Sequence, residues 1–165
     1  DYQDYINEFL NVDRYNQNIE YLINKYMNMG RDKTGNVLKQ YIVNAKDIFS
    51  DKQYRFIIED NRLKEAIGTI DLFDFDPMNQ RVEVGVFLQE NYRRQGYATE
   101  SIRLIKEYAF KFLGVKQLYA HICEENKVSI DLFEKCGFKK VGRLEKWLKR
   151  GEDWKDCFIL QCLNN

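Results

Sequence analysis

The residues that most constrain the fold run from 82 to 112, with the sequence VEVGVFLQENYRRQGYATESIRLIKEYAFKF. Residues 82–88 are apolar, β-branched or aromatic apart from Glu83 and Gly85, which predicts a largely buried strand. A polar segment follows, and from Ala98 onward the apolar residues recur at helical spacing. The chain is therefore expected to turn sharply between a buried strand and a long amphipathic helix.

The turn between these two elements, RRQGYA at residues 93–98, is called the Arg-Gly turn below. Gly96 has no side chain, so ligand atoms can approach its backbone closely. The next amides belong to the unpaired first turn of a helix, where N–H groups and the helix dipole favour an anion. Arg93 and Arg94 add forked donors that suit phosphate. These residues predict a pyrophosphate site, and an ordinary solvated turn is the alternative that they leave open.

Periodicity over the remaining residues predicts a mixed sheet covered by helices on both faces, in the order β-α-α-β-β-β-α-β-α-β-β. The only proline, Pro77, lies in a predicted loop over residues 74–80, and a second loop is predicted over residues 145–156. The predicted strands cover residues 6–12, 54–59, 65–73, 82–88, 115–123, 138–144 and 157–163. The predicted helices cover residues 13–26, 36–49, 98–112 and 128–136.

Charge and length narrow the classes of partner. The chain has 165 residues, with 26 Lys and Arg against 26 Asp and Glu, so one domain without a general affinity for nucleic acid or anionic membrane is expected. No apolar run reaches the length of a membrane-spanning helix. The first residues, DYQDYINEF, lack the basic and apolar regions of a signal peptide, but a chain that does not begin with Met makes this weak evidence for a cytoplasmic location.

The cysteines argue against a metal site. Cys123, Cys136, Cys157 and Cys162 contain no C-x-x-C pair, and His121 is the only histidine. Zinc sites need clustered Cys and His ligands, so no metal is expected. Cysteines within apolar segments of a chain this long are typical of reduced thiols in a cytosolic protein.

Three segments in order resemble the Gcn5-related N-acetyltransferase (GNAT) superfamily. The first is the Arg-Gly turn, with Arg, two residues, Gly, one residue and Ala. The second is Asn126-x-x-Ser129 followed by LFEKCGF at residues 132–138, and the third is the aromatic-bearing loop with the last strand. Within the superfamily, residues 67–88 are most similar to ribosomal-protein N-terminal acetyltransferases and spermidine acetyltransferases.

The resemblance implies a single GNAT acetyltransferase domain over residues 1–165 with an α/β (α+β) fold. Its central sheet is expected to be mixed, mostly antiparallel and of about seven strands, and to splay at two central parallel strands. Those strands are predicted at residues 82–88 and 115–123. Gly85 then fits a β-bulge or a close approach to the backbone.

The resemblance also implies acetyl-CoA as co-substrate. Main-chain groups near the splay are expected to bind the acetyl carbonyl and the pantetheine arm, and amides of the Arg-Gly turn to bind pyrophosphate, with an arginine on a phosphate. Asn126 is expected to contact the pantetheine, with helix capping as a compatible alternative. The cofactor-binding residues are thus Val86, Phe87, Leu88, Arg93, Arg94, Gln95, Gly96, Tyr97, Ala98, Thr99 and Asn126.

The implied reaction is direct transfer of an acetyl group to a primary amine, which must lose a proton first. Glu83 lies in an apolar run and is one candidate base, with an outward carboxylate paired to a lysine as the alternative. His121 is the other candidate because its ordinary pKa is near neutral, with a core histidine as the alternative. Water-mediated deprotonation that uses both residues also stays open.

At the position of the acid that protonates the leaving thiolate, the chain departs from the family pattern. Many members of the family carry a tyrosine where this chain has Phe133, and phenylalanine cannot donate a proton. Ser129 is the remaining hydroxyl there and the third catalytic candidate, with an exposed helix serine as the alternative. Phe133 also keeps open a second class of function, a catalytically silent acyl-CoA sensor or scaffold.

The acceptor itself can be a protein N-terminus, a polyamine or another small amine. Carboxylates near the acceptor side would attract a cation, although a solvated acidic loop is equally consistent with the sequence. Trp147 and Tyr92 are candidates to shape the cleft or simply to pack. The sequence leaves open whether the protein is a monomer or a homo-oligomer. The carboxylates in question are Asp71, Asp74, Asp76 and Glu83.

Overall fold

The structure, a computed structural model, describes Ile48, residues 52–60 and residues 65–165. Its strands are β1 Tyr54–Asp60, β2 Glu65–Asp76, β3 Arg81–Leu88, β4 Gln117–Cys123, β5 Lys139–Arg150 and β6 Asp153–Leu163. Its helices are α1 Tyr97–Lys111 and α2 Lys127–Lys135, with a turn of 3₁₀ helix at Glu90–Tyr92. The strand predicted over residues 6–12 and the helices predicted over residues 13–26 and 36–49, apart from helical Ile48, lie outside the described residues.

The six strands of the described residues form one sheet in the order β1-β2-β3-β4-β6-β5. Every neighbouring pair is antiparallel except β3 and β4, which run parallel. The parallel pair is joined only at its beginning, where Arg81, Val82 and Glu83 pair with residues 117–119 of β4. Beyond Glu83 the two strands diverge and leave a gap. The expected fold, a mixed and mostly antiparallel sheet that splays at two central parallel strands, is confirmed.

Alternation along the central strands separates two faces of the sheet. On β4, Leu118 and Ala120 are buried, and they pack in one hydrophobic cluster with Ile102 and Ile105 of α1. The intervening side chains, Tyr119 and His121 among them, point to the opposite face. Because Glu83 pairs with Tyr119, its carboxylate lies on that opposite face too, which we call the site face.

The loops predicted over residues 74–80 and 145–156 are shorter than expected. β2 continues to Asp76, which shortens the first loop. β5 continues to Arg150 and β6 begins at Asp153, so most of residues 145–156 is strand. Gly151, at φ +61°, allows a tight turn between them. The charged and aromatic residues there hide the strand signal because this hairpin is largely exposed on both faces.

Gly85 does not mark a β-bulge, and that expectation is wrong. Pairing between β2 and β3 is uninterrupted from Gly68 with Leu88 to Phe73 with Glu83. A Cβ at Gly85 would lie 3.2 Å from Cε1 of Phe73, so this glycine makes room for the Phe73 ring.

No helix among the described residues combines the length and the apolar character needed to cross a membrane.

Gly68, on β2 opposite Leu88 of β3, is the most tightly packed glycine of the described residues, which leads to a first prediction. A Cβ there would collide with the Phe87 carbonyl oxygen and approach Cδ2 of Leu88 to 2.8 Å. We therefore expect Gly68→Ala to lower the free energy of unfolding by about 1–3 kcal/mol.

The matched control for this prediction is Gly142→Ala, whose Cβ would make an ordinary contact of 3.7 Å with Cδ1 of Ile159. We expect it to change stability by less than about 0.5 kcal/mol. Urea denaturation of both variants tests the comparison. Equal stabilities would show that the close packing of β2 on β3 is absent.

Candidate active site

The Arg-Gly turn adopts the conformation that its glycine was expected to provide. Gly96 is the N-cap of α1 and lies in the left-handed region, with φ +90° and ψ −12°. A Cβ at this position would have no atom of the described residues within 4 Å, so the space beside it is open. The Glu100 amide donates to the Gly96 carbonyl at 3.0 Å, which begins the helical ladder. The amides of residues 97–99 therefore lie at the helix end, where an anion is favoured.

The two arginines of the turn have different environments. Arg93 Nε donates to the Leu88 carbonyl at 3.0 Å and so ties the turn to the end of β3. Arg94 is exposed, and its backbone has a left-handed φ of +60°. Arg93 is therefore already used in holding the turn, whereas the Arg94 guanidinium lies at the surface.

Two tyrosines hold the turn against the end of the β1–β2 hairpin where β1 finishes and β2 begins. The Tyr97 hydroxyl donates to the carboxylate of Asp60, which is only 1% exposed. The Tyr92 hydroxyl donates to Glu65 Oε2 at 3.0 Å, and the two tyrosine rings meet edge to face at 6.3 Å. Tyr92 therefore packs beside the Arg-Gly turn, which is one of its two expected roles.

The register of β3 decides which main-chain groups face the gap. The Gln89 amide donates to the Ile67 carbonyl at 2.9 Å, and antiparallel pairs alternate in their hydrogen bonding. Phe87 therefore directs its main-chain groups at β2, whereas Val86 and Leu88 direct theirs towards the gap. The Leu88 carbonyl is taken by Arg93. The register therefore favours Val86 and Leu88 over Phe87 for the main-chain contacts expected with the co-substrate, and the Phe87 side chain is 57% exposed.

The start of α2 lies directly after β4. The Asn126 side chain accepts a hydrogen bond from the Ser129 amide at 3.2 Å, which confirms its alternative role as a helix cap. Ser129 is half-buried in the first turn. Phe133 is 3% exposed and packs edge to face on Phe138 at 4.9 Å, so its position serves the core.

The two candidate bases form one unit on the site face. Glu83 Oε1 lies 2.8 Å from His121 Nδ1 and also accepts the His121 amide at 3.1 Å. A carboxylate only accepts, so in a neutral imidazole this contact assigns the hydrogen to Nδ1 and the lone pair to Nε2. Glu83 is buried, with 11% of its side chain exposed, against 29% for His121. The carboxylate orients the imidazole, and the imidazole is accessible to solvent.

Two aromatic residues enclose His121. The Tyr119 ring meets the imidazole edge-on at 5.7 Å, and the Trp147 indole stacks on it at 6.5 Å and 18°. The Tyr119 hydroxyl donates to Asp74 Oδ2 at 2.6 Å. Burial is the main cause that raises the pKa of Tyr119, and the hydrogen bond to Asp74 raises it further. The side chain therefore stays a hydroxyl at neutral pH. Sequence reasoning missed Tyr119, although its spacing of two from His121 is the strand signal that places both on one face.

The expected acidic cluster is mostly engaged in pairs with other residues. Asp71 accepts two bonds of 2.9 Å from Arg55, and Asp76 lies 3.0 Å from Arg81. Asp74 is bound by Tyr119. Glu83 is therefore the carboxylate that contacts the imidazole, and the remaining acids give little attraction for a cation there.

The cysteines match no metal centre. All four are free thiols, and burial is the main cause that raises the pKa of Cys136 and Cys157. Within the part of the chain that the structure describes, no group of three or more His, Cys, Asp or Glu residues is placed to hold a metal ion.

A family model and two relatives that match this chain are all acetyltransferases. Residues 3–139 match the family model described as acetyltransferase (GNAT) domain. A spermidine N(1)-acetyltransferase of Vibrio cholerae is 29% identical over 119 residues, which is 70% of this chain and 68% of the relative. An uncharacterized N-acetyltransferase of Bacillus licheniformis is 30% identical over 142 residues, 86% of this chain and 80% of the relative.

Solved structures show the same fold. The spermidine N-acetyltransferase of Vibrio cholerae in complex with CoA and spermine superposes with a TM-score of 0.66 at 23% identity. The superposition covers 80% of this chain and 76% of that chain. At this identity the likeness is evidence for the architecture alone.

The unequal arginines lead to a second prediction. Arg93→Ala removes a charged donor from the Leu88 carbonyl, so we expect it to lower the free energy of unfolding by about 1–2 kcal/mol. Arg94→Ala changes an exposed side chain and should alter stability by less than about 0.5 kcal/mol. Thermal and urea unfolding of both variants measures the difference. A destabilisation of equal size in the two variants would contradict the structural role of Arg93.

Proposed function

Because the chain belongs to the GNAT acetyltransferase family, we propose that its site face binds an aliphatic primary amine, which accepts the acetyl group. The family makes this an N-acetyltransferase that uses acetyl-CoA as its co-substrate. The observation that carries the proposal is the Glu83–His121 pair, because it puts a proton acceptor beside the gap between β3 and β4. A silent sensor would have no use for a buried carboxylate that orients an accessible imidazole.

The residues around the gap fit acetyl-CoA. The amides of residues 97–99 would hold the pyrophosphate, together with Gln95 and the exposed Arg94. The open space beside Gly96 leaves room for the phosphates. Main-chain groups of Val86 and the Leu88 amide would bind the acetyl carbonyl and pantetheine arm. The Asn126 side chain caps α2, and its amide nitrogen is the group left to contact the pantetheine.

His121 is the group that accepts the proton in this proposal. An alkylammonium must become a neutral amine before its nitrogen can attack, and the Nε2 lone pair of His121 is available to take that proton, directly or through a water. Glu83 keeps Nδ1 protonated and stabilises the imidazolium that forms. Acetyl-CoA supplies an activated thioester, and the amine nitrogen gains the acetyl group as the carbon–sulfur bond breaks.

The leaving thiolate needs a proton or a donor. Phe133 cannot supply one, and Ser129 is the hydroxyl at the start of α2 closest in sequence to the Asn126 cap. We assign Ser129 as that donor. Tyr119 is the other hydroxyl near the imidazole, and its bond to Asp74 commits its hydrogen elsewhere.

An aliphatic amine such as a polyamine is the acceptor class that the site supports best. The relative from Vibrio cholerae is a spermidine N(1)-acetyltransferase. In this chain, a buried carboxylate and exposed indole flank His121, and both favour a cation over a neutral acceptor. A cytoplasmic location stays a prediction from the cysteines, and the oligomeric state stays open.

The phosphate assignment yields a third prediction. Gly96→Arg would fill the open space beside the helix end, so we expect affinity for acetyl-CoA to fall at least about tenfold. Gly114→Arg is the matched control, because Gly114 also has a left-handed φ, +67°, and open space among the described residues. Both variants should lose about 1–2 kcal/mol of stability from backbone strain. Calorimetry that finds equal acetyl-CoA affinity in the two variants would contradict the assignment.

The proton acceptor yields a fourth prediction. His121→Gln should lower kcat by about 10²–10⁴-fold, and Glu83→Gln by at least about tenfold, with little change in acetyl-CoA affinity. Asp76→Asn is the control, because Asp76 is bound to Arg81 away from the imidazole, and it should keep wild-type turnover. The readout is thiol release in the presence of an alkylamine. Wild-type turnover by His121→Gln would remove His121 as the base.

A further inference from the structure

We propose that Trp147 determines which amines the site accepts, and that Asp156 holds it in place through a bulge in β5. The inference rests on the proposed acetyl transfer to an amine and goes beyond it by naming the residue that selects the acceptor. Trp147 is 56% exposed, yet its ring lies parallel to the imidazole of His121. An exposed indole placed over a proton acceptor forms part of the wall that an acceptor must pass.

The bulge is an irregularity in the β5–β6 hairpin. Leu144 pairs with Cys157 and Leu148 pairs with Lys155, so three residues of β5 oppose the single Asp156 of β6. Lys146, in the middle of the three, has a left-handed φ of +49°. Extra residues in one strand bend it and redirect its side chains. The residue that follows Lys146 is Trp147.

Asp156 fixes the shape of this bulge. Its Oδ1 accepts the Lys146 amide at 2.8 Å, and its Oδ2 accepts Arg143 Nε at 2.6 Å. Its carbonyl accepts the Glu124 amide at 3.0 Å, which ties the bulge to the end of β4. The hydrogen bond from the Lys146 amide is the main cause that lowers the pKa of the Asp156 carboxyl, and Arg143 lowers it further. The carboxylate therefore stays ionised across the neutral range.

The surroundings of the indole favour a hydrophobic cation. Glu83 on β3 contacts His121, and Asp74 on β2 accepts the hydrogen bond of the Tyr119 hydroxyl. Facing His121 from β6 is Ile159, an apolar residue. An ammonium that reaches Nε2 of His121 would pass the indole face, where a cation is attracted to the ring and methylenes lose water. Alkylamines with several methylenes should therefore gain more from Trp147 than methylamine does.

The experiment compares n-butylamine with methylamine in a thiol-release assay with acetyl-CoA. We expect Trp147→Ala to lower kcat/KM for n-butylamine by about tenfold, to change methylamine by less than about threefold, and to leave the KM for acetyl-CoA unchanged. Trp147→Phe should restore most of the loss for n-butylamine. Trp154→Ala is the matched control, because Trp154 is 54% exposed on the same hairpin and should behave as wild type with both amines.

Asp156→Asn tests the bulge independently of the indole. It should reproduce the pattern of Trp147→Ala, with a selective loss for n-butylamine. An equal loss for both amines in Trp147→Ala, or wild-type behaviour with both, would overturn the inference while leaving acetyl transfer intact. Thiol release that no amine raises above background in the wild-type protein would instead overturn the proposed function itself.

Discussion

The divergence of β3 from β4 after Glu83 is the feature on which the rest of the site depends. In a continuous sheet, the main-chain groups of Val86 and Leu88 would be consumed by pairing, but here they face a gap. The same divergence leaves the His121 amide to be satisfied by another acceptor, and the Glu83 carboxylate accepts it. One break in strand pairing therefore creates both the space for a co-substrate and the contact that orients the base.

Burial makes the pairing of Glu83 with His121 consequential. A carboxylate removed from water is costly unless hydrogen bonds compensate for the lost hydration. Glu83 obtains two such bonds from one residue, so the His121 ring is held while its second nitrogen stays accessible. Tyr119 and Trp147 restrict the ring further from two sides. Rigidity and access are thus combined at the atom that must exchange a proton.

The elements with strong periodicity could be predicted from the sequence, and the contacts between them could not. The apolar run of β3 and the helical spacing after Ala98 predict the strand, the Arg-Gly turn and α1. The splayed sheet was expected only from the resemblance of the Arg-Gly turn and residues 126–138 to the GNAT superfamily. Glu83 and His121 are each predicted as candidate bases, but their contact depends on the register of two strands far apart in sequence. The bulge that carries Trp147 escapes prediction because charged residues in an exposed hairpin look like a loop. The bond between Arg93 and Leu88 depends on a backbone turn that residue types do not specify.

A crystal structure of the protein with CoA and an alkylamine bound together would test the proposed site most directly. We expect pyrophosphate oxygens at the amides of residues 97–99, the pantetheine arm in the gap between β3 and β4, and the amine nitrogen near His121. That nitrogen should lie about 3 Å from Nε2, or be joined to it by one water. An amine bound with its nitrogen out of reach of His121 would contradict the role of His121 as base, and a pantetheine arm outside the gap would contradict the role of the gap.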